Sequence, residues 1–396
     1  MPTFHASHGP GSQATRHGVR HLGVVSVAGL ALAAACADHS PLLDVPSQVA
    51  VAAPQFVEAV DSARDAARRR IRTGNLPGVS VAVGRRTNVV WAEAFGWADL
   101  SSETLATPET LYPVGSISKS LTATAAGVLY QRGVLDFDLP IQAYLPDFPE
   151  KQWPITTAQL MGHIAGVVRS AGMAETLRQE HCDDARAAIA AVVEDTLMFE
   201  PGTEWRYSNF GWRLVGAVVE AVAAEPYLEF MDREVFTPAG MEQTVPDLGN
   251  EGPHEVVKYD RALFGTLRRG QDIDMSCSMA PGGFLSTPTE LVRFGYAMLN
   301  RELLDSATVD LFWTPQRLES GAPTTYGYGW GIQNVRLGDD AAASTRMIGH
   351  GGSVLGGQAS LMIFPDEDMV VAVMTNSSAD VSGFAREIAG IFRDPR

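Results

Sequence analysis

The sequence predicts an α+β fold, an α/β sandwich. One antiparallel sheet is built from both chain ends and flanked by helices, and a mostly helical insert occupies about residues 115–300. Three observations predict it. An amphipathic helix pattern and two β-type runs lie near the start, four more β-type runs crowd into 326–375, and helical periodicity dominates between them.

Phe56, Val57, Val60, Ala63, Ala67 and Ile71 recur at three- and four-residue steps, so a helix is expected to end near Gly74. The runs 79–83 and 89–95 flank a short polar segment and read as a β-hairpin. Helices are expected over 116–132, 157–163, 185–196, 212–224 and 289–299. Strands are expected over 326–335, 346–350, 358–364 and 369–375, the last two joined by a turn at Pro365-Asp-Glu-Asp. A closing helix carries Phe384, Ile388, Ile391 and Phe392 on one side.

Ahead of this domain, placed at 54–396, two segments differ in character. Residues 1–36 read as an export signal: Arg16 and Arg20 precede an apolar run from Leu22 to Ala35, too short for a membrane span. The run ends in small residues before Cys36, a pattern that resembles a bacterial lipoprotein box, so a lipid tether at Cys36 and a periplasmic or cell-envelope location are expected. Cleavage after Ala35 or Ala37 and a mitochondrial-type presequence are the alternatives. Residues 37–53, rich in Pro, Ser and Ala, read as a linker.

A formal charge of −16 repels phosphate backbones, which excludes a nucleic-acid partner. Cys182 and Cys277 are far apart in sequence and show no metal-ligand spacing; a disulfide and two inert thiols are both open.

The chemistry lies in three short groups. Of the 30 Lys and Arg residues only three are lysines, and one is Lys119 in Gly115-Ser116-Ile117-Ser118-Lys119. Arg stays protonated, whereas a buried Lys can lose its proton. Three apart on a helix, Ser116 and Lys119 share a face, so the amine can take the hydroxyl's proton and make it a nucleophile. The helix start also leaves the Ser116 N–H free to donate to an oxyanion.

The second group is Tyr207-Ser208-Asn209, after a Pro201-Gly202 turn and just before a helix. A tyrosine beside lysine can shuttle a proton, and Asn209 can orient the amine or a substrate amide. The bland alternative is an N-cap with Tyr207 packed nearby. The third group is His350-Gly351-Gly352-Ser353, whose glycines let another backbone approach and whose N–H groups could complete an oxyanion hole.

Ser116-x-x-Lys119, Tyr207-x-Asn209 and His350-x-Gly352, in that order, resemble the three motifs of the serine β-lactamase and penicillin-binding protein superfamily. Tyr-x-Asn points to its class C, D-alanyl-D-alanine carboxypeptidase and esterase branch, and 110–149 with 280–299 is similar to the mitochondrial β-lactamase-like serine proteases. The resemblance implies Ser116 as acylated nucleophile, Lys119 as proton acceptor, Tyr207 as general acid/base and Asn209 as orienter. The N–H groups of Ser116 and Ser353 would form the oxyanion hole, with His350, Gly351 and Gly352 lining the substrate site. It implies a small peptide, ester or acyl substrate, and no metal or organic cofactor.

One departure matters. Class C β-lactamases carry Lys-Thr-Gly where this chain has His350-Gly351-Gly352. A largely neutral histidine holds a carboxylate less well than lysine, which favours a peptidase or esterase over a β-lactamase or D-alanyl-D-alanine carboxypeptidase. His163 has no role in that pattern and reads as a buried, hydrogen-bonded core residue. A catalytically idle peptide- or peptidoglycan-binding relative is the remaining alternative; it has no need of Ser116, Lys119 and Tyr207 together. No Gly-x-Ser-x-Gly, His-Glu-x-x-His or P-loop occurs in the chain.

Overall fold

The computed structural model describes residues 45–168, 180–249, 252–262, 265–338 and 344–393. The export segment 1–36 with Cys36, the first part of the expected linker (37–44) and residues 394–396 lie outside the described residues.

The strands β1 (Ser47–Ala52), β2 (Gly78–Arg85), β3 (Asn88–Asp99), β4 (Gly331–Arg336), β5 (Ser344–Val354), β6 (Gly357–Phe364) and β7 (Met369–Thr375) form the main sheet. Their spatial order is β1-β3-β2-β7-β6-β5-β4, with Thr104–Leu105 pairing on β3. Each neighbouring pair is antiparallel, and the two chain ends join where β2 meets β7, Val79 opposite Thr375 and Val83 opposite Val371.

The pleat sorts side chains by parity. Val79, Val81, Val83, Val371 and Val373 point to one face, under helices α1 (Val57–Gly74) and α6 (Ser382–Ile391). Ala82, Val370, Ala372 and Met374 point to the other, beneath the helical block. Both faces of β2 and β7 are buried, which explains their continuous apolar runs. Each fully buried Val contributes roughly 1.5–3 kcal/mol of transfer free energy.

The helical block contains α2 (Ser118–Gln131), α3 (Thr157–Met161), α4 (Asn209–Ala223) and α5 (Pro288–Leu299). Ser118 through Leu129 of α2 are buried all round, so this helix runs through the core. Thr156 and Gln159 close a capping box on α3, and Ser208 caps α4 by accepting from the Gly211 N–H at 2.9 Å.

Four expectations need correction. Residues 47–52, read as linker, form edge strand β1: alternating Val49 and Val51 suit a strand, and backbone pairing with β3 holds it although its side chains are mostly exposed. Ser116 sits in a 3₁₀ turn, Gly115–Ile117, ahead of α2 rather than in its first α-turn. The helix expected over 185–196 is a short 3₁₀ stretch, Ala187–Val192, after the Asp184 carboxylate accepts from the Ala187 N–H at 2.6 Å. The strand expected from 326 begins at Gly331, because Tyr326–Trp330 turns through Gly329 at φ 82°.

Candidate active site

The turn ahead of helix α2 and strand β5 converge at a point where neither backbone has room for a side chain. A Cβ on Gly352 would stand 1.8 Å from the Val114 carbonyl oxygen, and one on Gly115 would stand 2.7 Å from the Ser353 nitrogen. Gly115 also adopts φ 50°, which glycine takes at no steric cost. This close approach brings the turn carrying Ser116 against the His350–Ser353 segment. Strand β4 ends at Gly331, opposite Gly349, while β6 continues to pair with 350–354. Residues 350–354 therefore keep one strand edge free toward the cleft, the arrangement that the glycine-rich motif suggests.

Ser116 is half-buried and Lys119 is fully buried. The Lys119 Nζ stands 3.1 Å from Ser116 Oγ, 2.9 Å from Asn209 Oδ1 and 2.7 Å from the Pro281 carbonyl oxygen. It also lies 4.8 Å from the centre of the Tyr207 ring. All three polar partners are uncharged oxygens. Burial pushes the Lys119 ammonium well below its ordinary range. A neutral amine has two N–H bonds and one lone pair. With Asn209 Oδ1 and Pro281 O accepting its two N–H bonds, a neutral Lys119 would have its lone pair left for the Ser116 hydroxyl at 3.1 Å. The geometry thus matches a base.

The other two lysines show the contrast. Lys258 is buried but pairs with Asp247 at 2.8 Å, and Lys151 bonds the Val193 and Asp195 carbonyls at the surface, near the carboxylates of Glu194 and Asp195. Among the described residues, Lys119 is the lysine whose neighbours carry no negative charge.

Tyr207 stands just before the α4 cap. Its ring packs 4.2 Å from His163 and 6.4 Å from His350, centre to centre. His350 accepts from the Tyr326 hydroxyl through Nε2 at 2.8 Å and donates from Nδ1 to the Gly351 carbonyl at 2.6 Å. Those partners fix the neutral tautomer, and enclosure among these groups pushes the imidazole down to about 3. His350 therefore offers no positive charge at neutral pH.

Two cavities open beside this cluster. One, of about 820 Å³, is lined by Ser116, Asn209, Arg213, Lys258, Ser353 and Gln358. The other, of about 360 Å³, is lined by Tyr207, Tyr326, His350, Gly351, Ser382 and Arg386. Both lie in the size range of small-molecule sites. Cys182 and Cys277 are joined in a disulfide and form part of the larger cavity's wall, which decides between the two thiol readings. No group of three potential metal ligands occurs among the described residues.

The structure brings Ser116, Lys119, Tyr207 and Asn209 into one cluster and sets His350–Ser353 along its edge. Sequence reasoning missed the Pro281 carbonyl, whose only signal is the Pro281-Gly-Gly run, and Tyr326, read simply as a strand residue. It placed His163 in the core, where it is 2 % exposed, without its contact to Tyr207.

Comparison with known proteins places the chain in a family. The Beta-lactamase family model matches residues 63–392. The mouse serine beta-lactamase-like protein LACTB, mitochondrial, is 27% identical, covering 80% of this chain and 74% of its own length. Penicillin-binding protein 4* of Bacillus subtilis is 23% identical, covering 74% and 66%. Among solved structures, the octameric penicillin-binding protein homologue from Pyrococcus abyssi superposes with a TM-score of 0.71 at 24% identity, covering 83% of this chain and 76% of its own. D-amino acid amidase from Ochrobactrum anthropi SV3 gives 0.69 at 22% identity, covering 84% and 96%. With the family model spanning nearly the whole described chain, this protein belongs to the beta-lactamase family.

Proposed function

We propose that this chain is a serine hydrolase that cleaves an amide or ester bond through an acyl-enzyme on Ser116. One observation carries the reading: Lys119 is buried among uncharged oxygens, with the Ser116 hydroxyl at 3.1 Å.

In the first half-reaction, Ser116 Oγ bonds to the substrate carbonyl carbon as its proton passes to Lys119 Nζ. The N–H groups of Ser116 and Ser353 receive the negative charge on the carbonyl oxygen, aided by the close packing of Gly115 on Gly352. As the bond to the leaving amine or alcohol breaks, Tyr207 hands it a proton relayed from Lys119. In the second, water bonds to the acyl carbon as its proton passes through Tyr207 to Lys119, and Lys119 returns that proton to the Ser116 oxygen as the acyl–oxygen bond breaks. Asn209 keeps the amine aimed by accepting one of its N–H bonds.

Peptides or simple esters suit the cleft better than β-lactams. A neutral His350, bonded to Tyr326, stands where a lysine would hold a carboxylate. The arginines before an apolar run ending at Cys36 support export, and no described helix is long and apolar enough to cross a membrane.

A fluorophosphonate probe tests the reading. Labelling of Ser116, seen by intact mass and lost in Ser116→Ala, is the expected result; an unlabelled wild-type protein would mark an idle binding relative. Rates on a D-alanyl dipeptide, an N-terminally blocked peptide, a p-nitrophenyl ester and nitrocefin then sort the substrate classes.

A further inference from the structure

We infer that His163 is the positioning residue for Tyr207, bracketing it by a hydrogen bond on each side and a ring against its face. The inference rests on the acyl-enzyme reading of Ser116.

Helix α3 ends at Met161, and His163 lies just beyond it with φ 63°, a left-handed backbone that side-chain-bearing residues seldom adopt. That conformation turns both ends of the residue toward 206–208. The His163 carbonyl accepts from the Arg206 N–H at 2.8 Å, and its Nδ1 accepts from the Ser208 N–H at 3.0 Å. Tyr207 lies between these two anchors. The imidazole lies 4.2 Å from the Tyr207 ring at a 31° tilt, and Tyr326 packs on it at 4.8 Å.

The bond to Ser208 also organises the start of α4. Ser208 accepts from Gly211 to cap that helix, and its hydroxyl donates to the Val168 carbonyl at 2.6 Å. Asn209, the first residue of α4, then presents Oδ1 to Lys119. One imidazole therefore sets both Tyr207 and the start of the helix that aims Asn209.

A purely space-filling residue would look different. With Nδ1 accepting, the ring's hydrogen is on Nε2, and this buried atom has no hydrogen-bond partner among the described residues. An apolar side chain would avoid that orphan but would strand the Ser208 N–H. Burial holds His163 well below its ordinary range, so the acceptor stays unprotonated. The titratable groups around Tyr207 are Lys119 from α2, His350 from β5, Tyr326 and His163 itself.

Two variants of the full chain separate ring from acceptor: His163→Phe keeps a ring, and His163→Asn places an amide oxygen near the position of Nδ1. With a p-nitrophenyl ester, His163→Phe is expected to lower kcat on the order of 10²-fold, the loss a small misplacement near the chemistry produces, with KM within about threefold. Its pH profile of kcat should move by roughly half a unit or more, because Tyr207 changes its surroundings. His163→Asn should return kcat to within about tenfold of wild type, since the Ser208 N–H regains a partner.

Wild-type kcat and an unmoved pH profile in His163→Phe overturn the inference. So does equal inactivity of both variants tracking equal losses of melting temperature. If His163→Phe does not fold, His163→Asn decides alone: activity within about tenfold of wild type supports the bracket and a dead, folded protein refutes it. Absence of fluorophosphonate labelling at Ser116 in wild type overturns the acyl-enzyme reading and this inference with it, whereas labelling with unaffected variants overturns this inference alone.

Discussion

Gly352 and Val114 are in direct backbone contact: a Cβ on the glycine would lie 1.8 Å from the Val114 carbonyl oxygen. No rotamer relieves such a clash, because the atom it meets is main chain. Gly352→Ala is therefore expected to push β5 away from the Ser116 turn and part the two proposed oxyanion donors, the Ser116 and Ser353 N–H groups. Loss of one such donor costs about 10²–10³ in kcat, and kinetics on the best ester substrate, with circular dichroism confirming the fold, checks this.

Ser116→Ala should abolish turnover, and Lys119→Arg should lower it by at least about 10³-fold despite preserving formal charge. Arginine keeps its proton and cannot act as a base. Near wild-type hydrolysis by the arginine variant would refute the proton-acceptor role.

Burial of Lys119 also sets a pH dependence of stability. The native amine is held well below 10.5, while the unfolded chain's amine takes up a proton below about that pH. The unfolded state thus binds more protons, and stability falls as pH falls from about 10.5 toward neutrality. Lys119→Met lacks this effect. The melting temperature of the methionine variant relative to wild type should accordingly rise as pH is lowered from 10 to 7; a constant difference would rule out a depressed amine.

The Lys258–Asp247 pair at 2.8 Å is almost wholly buried, with side chains 7% and 3% exposed. Removing one partner leaves an uncompensated charge in the cleft wall. Asp247→Ala should cost about 3–5 kcal/mol in denaturant unfolding. Replacing both residues by apolar ones should cost less than the single change.

Cys182 and Cys277 close a loop with a sequence separation of 95. Replacing both by serine should lower unfolding free energy by about 2–4 kcal/mol, measured with and without a reductant on the wild type.

Much of this was legible because the strongest signals are periodic or compositional. Val79, Val81 and Val83 alternate with Ala82 in a strand buried on both faces, and the runs in 358–375 do the same. Ser116 and Lys119 stood out because lysine is rare here and their spacing matches one helical turn. Legibility failed where backbone or loops decide the outcome. The Pro281 carbonyl reaches Lys119 by fold alone, with no side-chain signal to read. Tyr326 resembled a strand residue because its neighbours are aromatic, yet Gly329 turns the chain and frees its hydroxyl for His350. The strand at 47–52 is held by main-chain pairing with few buried side chains, so its composition read as a tether.

Because β2 has β7 as its neighbour, Val79 cannot meet Thr375 until the whole helical block between them has been made. The first hairpin leaves the ribosome with one flank bare, its valines waiting through synthesis of the entire helical block. Closure of such a distant contact is slow, and an unsatisfied strand border invites wrong partners meanwhile. Truncation just before Met369 would remove the strand that joins β2 to β6 and so divide the main sheet in two.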